Sequence, residues 1–394
     1  MNTRTKAHGM DGTLVEPDWP PLALDEVREL LAEFCGCGEP IQIDSVSPRP
    51  FSAASVVSVA GGRVFVKRHH RTVRDAEGLL EEHRFLAHLL ANGAAVPRVL
   101  AAKSGSTVVE RDKWTYEVHE VPTDVDAYAE ADSWTPFRCA EHARQAGAAL
   151  ARLHGSAETF VAPARRARPL VASFSIFAGD HPEAAVETYL SARPALLNDS
   201  ATRRRCEEAL DLLQPFHAEL QPLLPSLPPL WTHNDLHASN LFWSSDGEDA
   251  RATAVIDFGL ADRTNAVHDL AHALERNIVE WLDLVNNPES PEKVRVHPEH
   301  LRALLDGYEA VCPLVREEAA ALAPMTALCH AEFALAETDY FLGVLRSPEK
   351  AAMASDGYLL GHARWFRGAG ATLLEAIRQW AESRPRESAG GRRR

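Results

Sequence analysis

No apolar run in this 394-residue chain approaches the roughly 20 residues that a membrane-spanning helix needs, so no membrane partner is expected. Residues 1–12 are polar and lack the apolar core of a secretory signal. Cysteine is scarce: Cys35, Cys37, Cys139, Cys206, Cys312 and Cys329 are scattered without metal-ligand spacing. The one close pair, Cys35-Gly36-Cys37, has a single residue between its thiols, which is neither the zinc nor the redox arrangement. Reduced thiols in a cytoplasmic setting are the expectation. Positive charge is also short, with 41 Lys and Arg against 56 Asp and Glu and a formal net charge of −15. That balance argues against a nucleic-acid partner, which needs a basic surface. It mildly favours a cationic small molecule, although acidity serves solubility equally well. Oligomeric state is not legible in any of this.

What is present falls into two halves. From residue 41 to 68 the pattern alternates and is β-branched, with Gly61-Gly62 between the runs Ser55-Val56-Val57-Ser58-Val59 and Arg63-Val64-Phe65-Val66-Lys67, as in a hairpin. A helix is predicted over residues 75–91, closed by Asn92-Gly93. Strands are predicted at 96–100, 107–110 and 114–121. After Pro122 the chain turns mainly helical, with helices at 139–154, 182–197, 202–224, 267–283, 298–311, 317–345 and 357–382. Residues 162–172 are rich in Pro and Arg and read as a loop. The expected division is a free N-terminus (1–20), a small β-rich lobe (21–121), a larger helical lobe (122–384) and a free basic tail (385–394).

The chemistry concentrates in His233-Asn234-Asp235-Leu236-His237-Ala238-Ser239-Asn240 and in Val255-Ile256-Asp257-Phe258-Gly259. The first block reads H-x-D-x-x-x-x-N and the second D-F-G, an order suited to phosphoryl transfer. Two short apolar runs with Asp246-Gly247 between them predict a β-hairpin, whose closed ends bring Asn240 and Asp257 together. Asp235 can accept or orient a hydroxyl proton, and Asn240 and Asp257 offer hard oxygen ligands for Mg²⁺. His233 is expected to brace the loop. Lys67, ending a strand, can face the α- and β-phosphates of ATP, with Glu82 on the next helix as its carboxylate, and Glu81 or Glu77 as alternatives. Each of these residues taken singly is more often a surface charge or a turn; their joint order is what carries weight.

With these motifs the chain resembles the aminoglycoside phosphotransferase and choline kinase superfamily, small-molecule kinases that share the protein-kinase fold. Gly147-Ala148-Ala149-Leu150-Ala151-Arg152-Leu153-His154 looks like that family's helix into the large lobe, and His268-Asp269-Leu270-Ala271 like its segment after D-F-G. The resemblance implies an α+β bilobal fold, Asp235 as catalytic base, Asn240 and Asp257 as magnesium ligands, Lys67 with Glu82 orienting ATP, and Asp269 as a structural acid. Two departures stand out. Arg49-Pro50-Phe51-Ser52-Ala53-Ala54-Ser55 occupies the place of a glycine-rich loop, so the phosphate contacts are expected from the backbone at Ser52 and Ala53. Asn234 stands where most antibiotic kinases have glycine. The adenine edge is expected on the connector, at Glu120 and Val121.

The implied activity is ATP- and Mg²⁺-dependent transfer of a phosphoryl group to a hydroxyl of a small molecule: antibiotic, amino alcohol, sugar or nucleoside. The rivals are a protein kinase, disfavoured by the missing A-P-E segment, a non-catalytic nucleotide-binding module, and nucleotidyl transfer. His330, Glu332, Glu337, Asp339, Glu275 and Trp281 could meet the acceptor, but a solvated helix face is the commoner fate of such residues.

Overall fold

Gly62, at φ +141°, turns the strand Ala53–Val59 back on itself as Gly62–His70. The two pair antiparallel along their whole length, from Ala53 opposite Arg68 to Val59 opposite Gly62. Around this hairpin a five-stranded antiparallel sheet forms in the order Pro40–Val46, Ala53–Val59, Gly62–His70, Trp114–Glu120, Val109–Arg111. The computed structural model of the chain describes residues 6–384, so the basic tail expected at 385–394 lies outside the described residues. Val57, Val66 and Val118 alternate onto one face and are fully buried with Val27 and Leu30 of the helix Leu24–Leu31, which was not anticipated from the sequence. Each such side chain contributes about 1.5–3 kcal/mol by leaving water. The expected strand at 96–100 shrinks to one bridge, Val99 to His119. Pro97 lacks the N–H that a ladder needs.

The helix Ala76–Ala91 is capped by the Asp75 carboxylate, which accepts from the Gly78 N–H at 2.7 Å. It ties the small lobe to the large one. Phe85 meets Trp231 and Phe258, with ring centroids at 5.5 and 6.0 Å. The Pro- and Arg-rich loop has a purpose here: Arg168 pairs with Glu81 at 3.0 Å and with Asp75 and Glu77 at 3.3 Å.

The large lobe is helical, so the molecule is α+β and bilobal. The helices Ala140–Ala157 and Pro298–Glu309 cross at Gly147 and Gly307. A Cβ on either glycine would stand 2.0 Å from a backbone oxygen of the other helix, and so the sequence keeps both bare. The expected helix at 317–345 is continuous from Arg316 to Val344 and ends in a π-helical turn, Tyr340–Val344. The expectation that no segment approaches a membrane span is corrected here: by length and composition this helix could cross a bilayer, but 94% of its apolar window is buried inside the protein. It is a core helix. The motif hairpin forms between Leu241–Trp243 and Ala252–Val255.

The reading of residues 1–20 as a free end is corrected for the described part, 6–20. Ala7–His8 pairs with Leu14–Val15, Ala7 is buried, and Trp19 stacks on His70 at 4.9 Å. Asp18 accepts from Tyr340 and pairs with Lys350 of the large lobe, so this segment straps the two lobes together.

Candidate active site

Hairpin closure does the first part of the assembly. Leu241 pairs with Val255, and the Ile256 N–H donates to the Asn240 carbonyl at 3.0 Å, so Asn240 and Asp257 sit at adjoining chain ends. Between the lobes lies a cavity of about 460 Å³ lined by Lys67, Glu82, Glu120, Val121, Asn240 and Asp257. Both connector residues, Glu120 and Val121, thus line the cavity between the lobes.

Asp257 has φ +59°, a conformation that costs an L-residue on the order of 1–3 kcal/mol and is kept where the surroundings demand it. Here it brings Oδ1 to 3.1 Å from the Lys67 ammonium. Burial disfavours both charges. The pairing outweighs it on each side, holding the Asp257 carboxyl below its ordinary range and, with Glu117 and Glu82 adding their fields, the Lys67 ammonium above its own. The expected Lys67–Glu82 pair is therefore corrected: the ion pair is with Asp257. Glu82 is buried beside the cavity, and its own nearest cation is Arg165, at 4.0 Å. That guanidinium also donates to the Gly78 carbonyl at 2.9 Å and so competes for the Glu82 side of the helix.

Asn234 is also left-handed, at φ +61°, which explains why a glycine-type position accepts asparagine. Its side chain is spent internally, accepting from Thr232 at 2.8 Å and donating to the Leu260 carbonyl at 3.1 Å. His233 braces the segment by donating Nε2–H to the Ile256 carbonyl at 2.9 Å and accepting the Asp235 N–H at 3.1 Å. Asp269 accepts the N–H groups of His233 and Asn234 at 2.9 and 2.7 Å, and His154 bonds the same carboxylate at 2.9 Å. This is the structural acid that the resemblance implied, and the helix carrying His154 meets it directly.

Asp235 is raised above the ordinary carboxylate range by burial, and the Arg276 guanidinium, 3.1 Å from Oδ1, works against that shift. Asn240 donates Nδ2–H to the Asp235 carbonyl at 2.9 Å, which leaves its own carbonyl oxygen for a cation. Asp257 engages Lys67 through Oδ1, and Oδ2 carries none of these bonds. Two oxygen donors on adjoining chain ends suit a hard divalent cation.

The phosphate-loop expectation is displaced by a few residues. Ser52 and Ala53 lie outside the cavity lining, whereas Ser47, Pro48 and Arg49 belong to it. Ala53 is already in the strand, buried opposite Arg68, and Phe51 anchors the turn on Tyr340 at 5.2 Å, away from the cleft. Arg49 instead reaches in. It donates to Ser239 Oγ at 2.6 Å and to the Ala131 carbonyl at 3.1 Å, in the field of Asp235 and Asp257. Arg49, Ser239 and Arg276 were not singled out from the sequence. Arg276 had a usable signal: it lies two helical turns after Asp269, on the face already turned to the catalytic segment.

The solvated-face expectation for the late helices is overturned. Glu275, Trp281, His330, Glu332, Glu337 and Asp339 are all buried. Glu332 accepts the backbone N–H of Ile176 at 2.6 Å, and Glu275 meets His362 at 2.8 Å. Glu337 is pushed up to about 8 by burial and has an unpartnered oxygen.

A two-lobed fold with Asn240 and Asp257 lining the cleft, Asp235 beside them and a strand lysine paired to Asp257 is an arrangement suited to phosphoryl transfer. The profile of the phosphotransferase enzyme family matches residues 50–322, and the chain belongs to that family. No curated protein matches it by sequence. Among solved structures it is similar to the amicoumacin kinase hAmiN in complex with AMP-PNP, Ca²⁺ and Ami (TM-score 0.54, 15% identity, 86% of this chain and 93% of that one). It is also similar to a thermostable mutant of aminoglycoside phosphotransferase APH(4)-Ia with AMP-PNP and hygromycin B (0.53, 15%, 87% and 99%). The spectinomycin phosphotransferase APH(9)-Ia, with ADP and spectinomycin, matches at 0.50, with 11% identity over 92% and 99%. At these identities the likeness shows the shared fold.

Proposed function

We propose that the chain transfers the γ-phosphoryl group of ATP, with Mg²⁺, to a hydroxyl of a small polar molecule. The observation that carries this reading is the Lys67–Asp257 pair at 3.1 Å, in the cavity that Asn240 also lines, next to Asp235. Lys67 takes the α- and β-phosphates, with Glu82 contributing through its field, and the connector at Glu120 and Val121 meets the base. Arg49 takes over the loop role assigned from sequence to Ser52 and Ala53, as a planar cation suited to phosphate. Asn240 and Asp257 would hold Mg²⁺, which when bound neutralises charge on the transferred group.

Asp235 orients the acceptor hydroxyl and takes its proton as the oxygen forms its bond to the γ-phosphorus; the bond to ADP breaks. Arg276 keeps that carboxylate charged in a buried place. Positioning and charge neutralisation supply most of the acceleration in such reactions. For the acceptor, the unpartnered atoms of Arg276, Glu337 and Tyr358 beyond Asp235 support a hydrogen-bonding molecule: an antibiotic, amino alcohol, sugar or nucleoside. The six free cysteines support a reducing, cytoplasmic setting.

An ADP-release screen against hydroxyl-bearing metabolites and antibiotics tests the proposal. Acceptor-dependent ADP, abolished by excess chelator, is the expected result. Pyrophosphate in its place would mean nucleotidyl transfer, and no turnover with any acceptor would mean a nucleotide-binding module.

A further inference from the structure

We propose that His83, Glu117 and His119 form a binding site for a zinc-class transition-metal dication on the sheet wall of the nucleotide cleft. His83 comes from the helix Ala76–Ala91, and the other two from the strand Trp114–Glu120. All three side chains are buried. The Nε2 atoms of His83 and His119 stand 2.7 and 2.9 Å from one oxygen, Glu117 Oε2, and the three ligand atoms lie within 4.8 Å of one another. Two imidazoles and a carboxylate are the donor set of open zinc centres, with metal bonds of about 2.0–2.2 Å and a fourth position left for solvent or ligand. Those bond lengths put neighbouring donors roughly 3.3 Å apart, so Glu117 Oε2 need draw back from each imidazole by only about half an ångström to admit the ion. Imidazole nitrogen selects zinc, cobalt, nickel or copper over magnesium, which separates this site from the oxygen pair Asn240 and Asp257.

The outer contacts are those that a metal centre needs. Thr107 Oγ1 lies 2.8 Å from His83 Nδ1 and can accept its N–H, the tautomer that leaves Nε2 free for a metal. His69 Nε2, at 2.9 Å, holds the other carboxylate oxygen, Glu117 Oε1, and so aims Oε2 at the two imidazoles. Binding the dication displaces the Nε2 protons that otherwise bridge His83 and His119 to Glu117. Glu117 and His119 line the same cavity as Lys67 and Asp257, so the metal and the nucleotide are linked, each altering the affinity for the other. The inference does not depend on phosphotransfer.

The test is a titration of the metal-stripped full chain with Co²⁺, read by its visible d–d absorption, with Zn²⁺ competition by equilibrium dialysis. One ion per chain with tetrahedral absorption is expected. His83→Gln or His119→Gln should weaken binding at least a hundredfold. Thr107→Val, outside the ligand set, should weaken it about 10–100-fold. His297→Gln is the control, because His297, Glu299 and His300 form a second, more exposed cluster. Absence of a tetrahedral signal, binding unchanged in His83→Gln and Thr107→Val, or loss in His297→Gln would each overturn the proposal.

Discussion

Along residues 233–240 the buried polar atoms are mostly tied by the chain itself: Asp269 takes two backbone N–H groups, Asn234 is spent on Thr232 and Leu260, and His233 on Ile256, while Asp235 Oδ1 is the open atom, facing only the Arg276 guanidinium. On the helices behind Asp235 the picture reverses. Arg276 Nε and Nη2, Glu337 Oε2, Tyr358 Oη, His272 Nδ1 and His330 Nδ1 are buried with no hydrogen-bond partner. Leaving such groups unpaired costs about 1–3 kcal/mol each. A segment with its bonds closed holds one geometry for one chemistry, while a wall with open bonds suits a ligand that differs between relatives.

That contrast can be broken in order of effect. Beside the closed segment, across the hairpin, Asp257→Asn removes the anion next to Lys67, and initial rates at saturating Mg²⁺ should fall about a thousandfold. A drop in melting temperature with rates intact would make the pair merely structural. At the boundary, Arg276→Met strips Asp235 of its positive neighbour, so the carboxyl titrates higher and the acid limb of kcat/KM moves up by about one pH unit. An unmoved limb would mean that Arg276 does not tune the base.

The smallest effect belongs to the open wall. Folded Glu337 titrates near about 8, against an ordinary value of 4.5. The native state therefore holds a proton that the unfolded chain has released, and the stability from this group is full below pH 4.5 and lost as pH rises through about 8. Denaturant unfolding of Glu337→Gln should show the variant gaining on the native chain across that window and levelling above it. A pH-independent difference would place Glu337 in an ordinary, solvated environment.

The same division governs what the sequence reveals. Asp235, Asn240 and Asp257 are legible because their order is local and one hairpin closes them together. Lys67 is legible at the end of its run, but its partner is not: Arg165, from a loop about a hundred residues away, sits against Glu82 and leaves Asp257 to the lysine. That Ser47 to Arg49 line the cavity and Ser52 and Ala53 do not is illegible in the sequence, because Phe51 packs across the lobes on Tyr340, a contact that no local pattern encodes. The late acids looked solvated because their periodicity gives no hint that every face of the helix is covered.

Asp235→Asn, assayed for transfer of labelled γ-phosphate to an acceptor found with the native chain, tests the central claim most directly. The account predicts that kcat falls about a thousandfold while the KM for ATP stays within about twofold. Transfer at the native rate would contradict it.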